Sequence, residues 1–261
     1  MIDPWFVLLF AKMAVAASVV VGCSLLAERS GPMVAAMIAT LPISAGPVYV
    51  FLALEHEPAF LAAGALGSMS ANLANTGLSL AYVLLAQRLS TLLSLGAALA
   101  AWLVAAMTLR ALEPSFIVLV CATVVGFGAL HLLFRPYLAA RPKAVSARPW
   151  YAIPLRAGAV AVLAGTVTTV SSHVGPAWSG VLAAFPVVLS SMIAMLQPRI
   201  GGPAMAAVIA NSALGLIGFG LAIGSVHLSA VALGSGLSLG LGLAICIVWN
   251  LGLMRLKRGR G

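Results

Sequence analysis

The sequence predicts an all-α, polytopic transmembrane helix bundle of about nine spans, built as two inverted four-helix repeats joined by one extra helix. Three observations carry that expectation: the composition, the length of the apolar runs, and one phrase written twice. Of the 261 residues 62% are hydrophobic and 7% charged. The mean hydropathy of +1.14 lies far outside the range of soluble domains. The apolar runs are about 20 residues long, enough to cross ~30 Å of hydrocarbon as helices. They are rich in Ala, Leu, Val and Gly and lack the period-2 alternation of membrane strands, so helices are preferred to a barrel. The repeated phrase is Gly31-Pro32, six residues, Ala39, two residues, Pro42. It recurs as Gly175-Pro176, six residues, Ala183, two residues, Pro186, an offset of 144 that also pairs Lys12 with Arg156. Prolines kept at matching places in apolar segments of both halves are the pattern of pseudo-symmetric transporters.

The spans follow in order as 5–27, 32–54, 59–86, 90–110, 115–134, 157–173, 177–197, 203–225 and 228–252. The first has no positive region before it and no small-residue cleavage site leading to a polar domain, so it reads as a retained span. Glu28-Arg29-Ser30-Gly31-Pro32 ends it and places proline where a helix start tolerates the missing N–H. Glu55-His56-Glu57-Pro58, Gln87-Arg88 and Gln197-Pro198-Arg199 punctuate likewise. Leu89 to Phe134 is too long for one crossing, and Glu113-Pro114 divides it into two. The stretch from Arg135 to Arg156 is the longest polar segment and is too short to bury a core of its own.

Charge orients the spans. The basic residues concentrate at Arg135, Arg141, Lys143, Arg148 and Arg156, and again at Arg255, Lys257, Arg258 and Arg260. Four spans separate the clusters, so both lie on one side, which the positive-inside rule makes cytoplasmic. Arg29, Arg88 and Arg199 then fall inside as well, and only Lys12 and Arg110 fall elsewhere. The amino terminus and the acidic Glu55–Glu57 loop fall outside. Residues 1–110 form the first four-span repeat. Residues 111–154 form the linking helix and a basic cytoplasmic loop, and 155–261 the second repeat with its basic tail. The odd spacer inverts the second copy about an axis in the membrane plane. The net charge of +9 is accounted for by this asymmetry, with no basic recognition helix or stacking surface for nucleic acid. Cys23, Cys121 and Cys246 lack metal-ligand or disulfide spacing and read as small core residues.

The second copy resembles the GlpM-like family of small four-span bacterial membrane proteins. The likeness rests on Arg156 opening a span, then Trp178-Ser179-Gly180-Val181-Leu182-Ala183-Ala184-Phe185-Pro186, a Pro/Gly-rich turn and two further spans. The first copy keeps Pro42 but has Ala36 and Leu41 where the second has Gly180 and Phe185. The resemblance implies a bacterial inner-membrane location and lends the chain the look of two four-span units fused through one helix. It implies no defined activity.

Candidate site residues gather around the repeat. Pro42 and Pro186 fall near mid-membrane, where each removes a backbone hydrogen bond and frees carbonyl groups that need a partner. They read either as packing kinks or as helix breaks that hold a substrate. Ser44 accompanies the first, and Ser190 and Ser191 the second. In the third span Ser68, Asn72, Asn75 and Ser79 share one helical face. Asn211 and Ser212 lie in the eighth. Such amides and hydroxyls serve either as interhelical glue or as hydrogen-bonding groups of a polar cavity. Lys12 and Arg156 either reach to the headgroups or attract an anion from opposite faces.

The acids Asp3, Glu28, Glu55, Glu57 and Glu113 all map to termini or loops, which disfavours a proton-coupled cation antiporter. No phosphate loop, metal motif or nucleophile elbow occurs, so neither an enzyme nor a cofactor is predicted. His56, His173 and His227 are read as outer-loop residues and His131 as lying near a span end. The expectation is a secondary transporter or flippase of a small polar or weakly anionic solute, working as a monomer or homodimer in the lipid bilayer. A non-transporting accessory protein of an envelope enzyme system is the second possibility.

Overall fold

The computed structural model describes residues 4–29, 41–138, 140 and 150–258. Among them the chain forms α1 (Pro4–Arg29), α2 (Ala45–Glu55), α3 (Pro58–Leu85), α4 (Thr91–Leu112) and α5 (Phe116–Leu133). After a 3-10 turn at Arg135–Tyr137 come α6 (Ala152–Ala183), α7 (Val187–Ile200), α8 (Gly202–Leu233) and α9 (Ser235–Arg258). No strand occurs among the described residues. Gly31, Pro32 and Ala39 of the first phrase lie outside them, as do Arg141, Lys143, Arg148 and Arg260.

Local chemistry sets the boundaries. α3 opens with Pro58 in its first turn, where a proline costs no intrahelical bond. α4 stops at Glu113, whose left-handed φ of 44° precedes Pro114, so the long apolar stretch divides where the sequence predicts. Gly175, with φ 77° and ψ 174°, bends α6 sharply into two limbs. The same backbone geometry joins α7 to α8 at Gly201 and α8 to α9 at Gly234. A Cβ makes this region nearly inaccessible, so these turns need glycine.

Among the described residues six apolar stretches are long enough to cross a membrane: Trp5–Leu26, Thr91–Leu112, Phe116–Leu133, Ala152–Ile200, Gly202–Leu233 and Ser235–Leu256. An all-helical chain with these stretches is built as an integral membrane protein. Large apolar side chains such as Phe10, Leu92, Ile117, Val125 and Leu237 are exposed on its outer helices, as lipid contact allows. Pro58–Leu85 is absent from the six because its serines and asparagines lower its hydropathy. It is instead among the most deeply packed helices, with Ser68, Asn72, Ser79 and Tyr82 fully buried. A polar helix belongs at the centre of a membrane bundle, away from lipid.

Its companion there is α8. Gly202 lies against Ala86, Leu216 against Asn72, Gly224 against Met69 and His227 against Ala62. Ascending one helix descends the other, so α3 and α8 are antiparallel. α4 packs on α3 and α9 on α8, while α5 touches both central helices and α1 lies along α6. α3 and α8 start 144 positions apart, at Pro58 and Gly202, and α4 and α9 start the same distance apart, at Thr91 and Ser235.

Two apolar clusters divide the interior along this central pair. One gathers Val20, Tyr49, Leu52, Leu61, Met69 and Ile223. The other gathers Leu78, Tyr82, Trp102, Phe127, Ile193 and Ile209. They meet near the level of Asn72 and Leu216, and Phe185 packs against both.

Candidate functional site

The two prolines produce the same local backbone. At the first, Ile43 N–H donates to Leu41 O at 2.8 Å and Gly46 N–H to Pro42 O at 2.7 Å. At the second, Val187 N–H donates to Phe185 O at 2.7 Å and Ser190 N–H to Pro186 O at 2.9 Å. A bond spanning one residue, with Pro186 at φ −75° and ψ 51°, is an inverse γ-turn. The chain therefore turns at each proline and enters a helix just after it, α2 after the first and, having left α6, α7 after the second. The breaks are complete turns, more than the single lost hydrogen bond that proline requires.

These turns face one cavity of about 120 Å³. It is lined by Leu41, Pro42, Ser44 and Ala45 beside the first break, and by Phe185, Pro186, Val188 and Leu189 beside the second. Asn75 of α3 and Ser212, Gly215, Leu216 and Phe219 of α8 complete the wall, with Ala184. Of the predicted site residues, the structure thus brings together Pro42, Ser44, Asn75, Pro186 and Ser212. Five lining pairs are 144 positions apart: Leu41 with Phe185, Pro42 with Pro186, Ser44 with Val188, Ala45 with Leu189, and Asn75 with Phe219. No described lining residue is charged.

Asn75 brings an open hydrogen-bond acceptor to the cavity. It is 4% exposed, and its Oδ1 accepts no hydrogen bond. A buried acceptor left open costs about 1–3 kcal/mol. Ser212 also lines the wall, with its hydroxyl donated to Ile209 O at 2.7 Å. Asn72, one turn before Asn75, does not line the cavity. Its Nδ2 donates to Leu216 O at 3.0 Å, and its Oδ1 is unpartnered.

The remaining predicted residues serve elsewhere. Ser68 joins three helices: Tyr49 Oη donates to its Oγ at 2.6 Å, and Ser68 donates onward to Gly180 O at 2.6 Å. Ser190 and Ser191 turn back on their own helix, to Pro186 O and Val188 O. Asn211 is exposed and donates to Ala207 O. Lys12 forms an ion pair with Glu55, and Arg156 sits partly buried in the first turns of α6. Neither cation lines the cavity.

Polar networks that the sequence pattern did not disclose close the two ends of α3. Near its start, His56 Nε2 meets Ser171 Oγ at 2.8 Å and its ring stacks on Phe60. Ser171 already donates to Thr168 O, so His56 Nε2 carries the proton in this contact. Burial, with the Lys12 charge second, holds His56 below its ordinary pKa. Near the other end, Gln197 Oε1 accepts from Tyr82 Oη at 2.8 Å and from Ser94 Oγ at 3.1 Å, and Gln197 Nε2 donates to Leu89 O at 3.3 Å.

Three sequence expectations need correction. His173 is not a loop residue but lies within α6, just before its bend at Gly175. Nor is His227: α8 continues to Leu233, and His227 Nδ1 donates to Ala62 O at 2.8 Å. Cys121 is exposed on α5, whereas Cys246 is buried as a small core residue. No protein-family model, curated protein or solved structure matches the chain.

Proposed function

We propose that this protein is a small secondary transporter that moves a small polar solute by alternating access, with the cavity between Pro42 and Pro186 as its site. In this reading the chain crosses a bacterial inner membrane nine times, amino terminus outside and carboxy terminus inside. The two limbs of α6 belong to different spans, and residues 32–54 and 176–200 are the matching broken spans. The four-span halves are inverted repeats, as the resemblance to GlpM-like proteins implies for a fused pair.

The observation that carries the reading is the cavity wall. Its five pairs at the repeat offset are what a cavity astride an axis exchanging the halves would have, and they support the reading. The antiparallel run of α3 and α8 supports an axis in the membrane plane, the arrangement in which transporters hold substrate at broken helices near mid-membrane. Apolar clusters above and below the cavity provide two closures, and rocking one half against the other opens them in turn.

Counterflow tests it. Proteoliposomes holding the full chain and a mixture of small solutes are diluted into isotopically labelled mixture, and exchange is read by mass spectrometry. At least one solute should exchange faster than in protein-free vesicles, with the excess lost in Asn75→Leu. Exchange indistinguishable from empty vesicles across the mixture would sink the transporter reading in favour of an accessory role.

A further inference from the structure

The cavity is symmetric in position but not in chemistry. Wherever a lining pair at the repeat offset differs in polarity, the first half supplies the polar member: Ser44 corresponds to Val188, and Asn75 to Phe219. Leu41 is likewise replaced by the larger Phe185, and Ala45 by Leu189. One wall therefore offers an amide and a hydroxyl, the other two phenyl rings, two branched aliphatic side chains and the Ser212 hydroxyl, whose proton is already given to Ile209 O. The orphaned Asn75 Oδ1 asks for a donor. With no charge among the described lining residues, an ion entering the cavity would lose its hydration uncompensated. Residues 30–40, which precede the first break, add no ionisable group in sequence.

We infer that the ligand is a neutral, amphipathic molecule of about six non-hydrogen atoms, with a hydrogen-bond donor at one end and a branched apolar body at the other. The size follows from the volume: a cavity of about 150 Å³ admits benzene, and this one has about 120 Å³. The donor end meets Asn75 and Ser44, and the apolar end meets Phe185, Val188, Leu189 and Phe219. The inference deepens the transporter reading and rests on the same cavity. It narrows the solute to one without charge and separates Lys12 and Arg156 from recognition.

Three isosteric probes test it on the purified full-length protein by saturation-transfer NMR: isobutyramide, isobutyrate and methyl isopropyl ketone. They share shape and differ in donor and charge. Isobutyramide should bind saturably, the ketone about tenfold more weakly, and isobutyrate at least a hundredfold more weakly. Asn75→Leu should bring the amide-to-ketone ratio to about one, a ratio from which partition into detergent cancels. Should Asn75→Leu fail to fold, Val188→Ser gives an independent reading, since it should improve 1,3-propanediol severalfold relative to isobutanol. Isobutyrate binding as tightly as the amide, or an amide-to-ketone ratio unchanged by Asn75→Leu, would overturn the inference, as would no gain in Val188→Ser. Selective binding without counterflow removes the transporter reading and leaves the ligand class standing. Counterflow without this selectivity does the reverse.

Discussion

Asn72 Nδ2 donates to the backbone oxygen of Leu216 at 3.0 Å, and the two residues are 144 positions apart, the offset of the repeated phrase. In the proposed inverted arrangement each would be bonded to its own counterpart, which only residues beside the axis can meet, so the bond would lie where that axis passes between α3 and α8. It would not be reciprocated, because Leu216 has no amide to return.

Asn72 and Asn75 are one turn apart, yet replacing them should have opposite effects. Asn72→Leu removes an interhelical bond and should cost roughly 0.6 kcal/mol, the average for such bonds in membrane bundles. Asn75→Leu removes an amide whose acceptor has no partner and should leave stability unchanged or raised. Reversible unfolding in mixed micelles reads both. Equal losses would assign Asn75 to helix packing.

The approach of α6 to α3 gives a steric prediction. A Cβ on Gly180 would stand 1.8 Å from Gly64 O, and one on Gly67 would stand 2.1 Å from Ala177 O. These contacts are with backbone, which cannot rotate aside. Gly180→Ala should therefore destabilise by about 1–3 kcal/mol and weaken the Ser68–Gly180 bond. Gly158 and Gly240, with no atom within 4 Å of an added Cβ, should accept alanine at no such cost. Thermal denaturation of the variants decides it.

Composition and run length made the helical membrane class legible, because lipid allows few solutions for the backbone. The prolines at 42 and 186 were legible as interruptions, since the sequence states what proline forbids, but a kink and a complete turn read alike. The partners of buried polar groups were not. Ser68 and Asn75 lie on one helical face, yet one joins Tyr49 to Gly180 and the other opens on the cavity. Ser190 and Ser191 satisfy themselves on their own turn, an option available to any helical serine. Gln197 reads in sequence as a loop residue, and its role depends on Tyr82 and Ser94, distant in the chain. His227 reads in sequence as a loop residue, although Val226 and Leu228 beside it give no stop signal. The true turn is at Gly234.

His56 makes stability pH-dependent. Its folded value lies below the ordinary 6.5, so the folded state resists protonation that the unfolded chain accepts. Stability should be full above about pH 6.5 and decline as pH falls through the window below it, levelling off once the folded form also titrates. Melting curves between pH 8 and 5 should show this fall. His56→Gln, which keeps a donor for Ser171, should flatten it, and an equal slope in the variant would exclude His56 as the source.

Orientation can be read without knowing the solute. Reporters placed near Lys143 and after the last residue should both report cytoplasm, and one within Glu55–Glu57 the opposite side. The grounds are the two basic clusters and the even number of spans that the sequence predicts between them. Opposite signals from the first two reporters would remove that even number and the inversion with it.

The breaks themselves offer the sharpest test of the cavity. Pro42→Ala and Pro186→Ala each restore a backbone N–H where an inverse γ-turn now stands. Alanine is about 3 kcal/mol better than proline inside a helix, and the residues around Pro186 (Ala183, Ala184, Val187, Val188) carry no other breaker. The helical form of residues 176–200 should then compete with the turn and draw Phe185 and Val188 out of the cavity wall. Each variant should remain folded, with a melting temperature equal to or above the parent, and lose isobutyramide binding. The double variant should show no more loss than either single one, because both turns frame the same space. Unaltered binding in the folded double variant would mean that the cavity does not depend on the breaks, and the prolines would then be packing kinks.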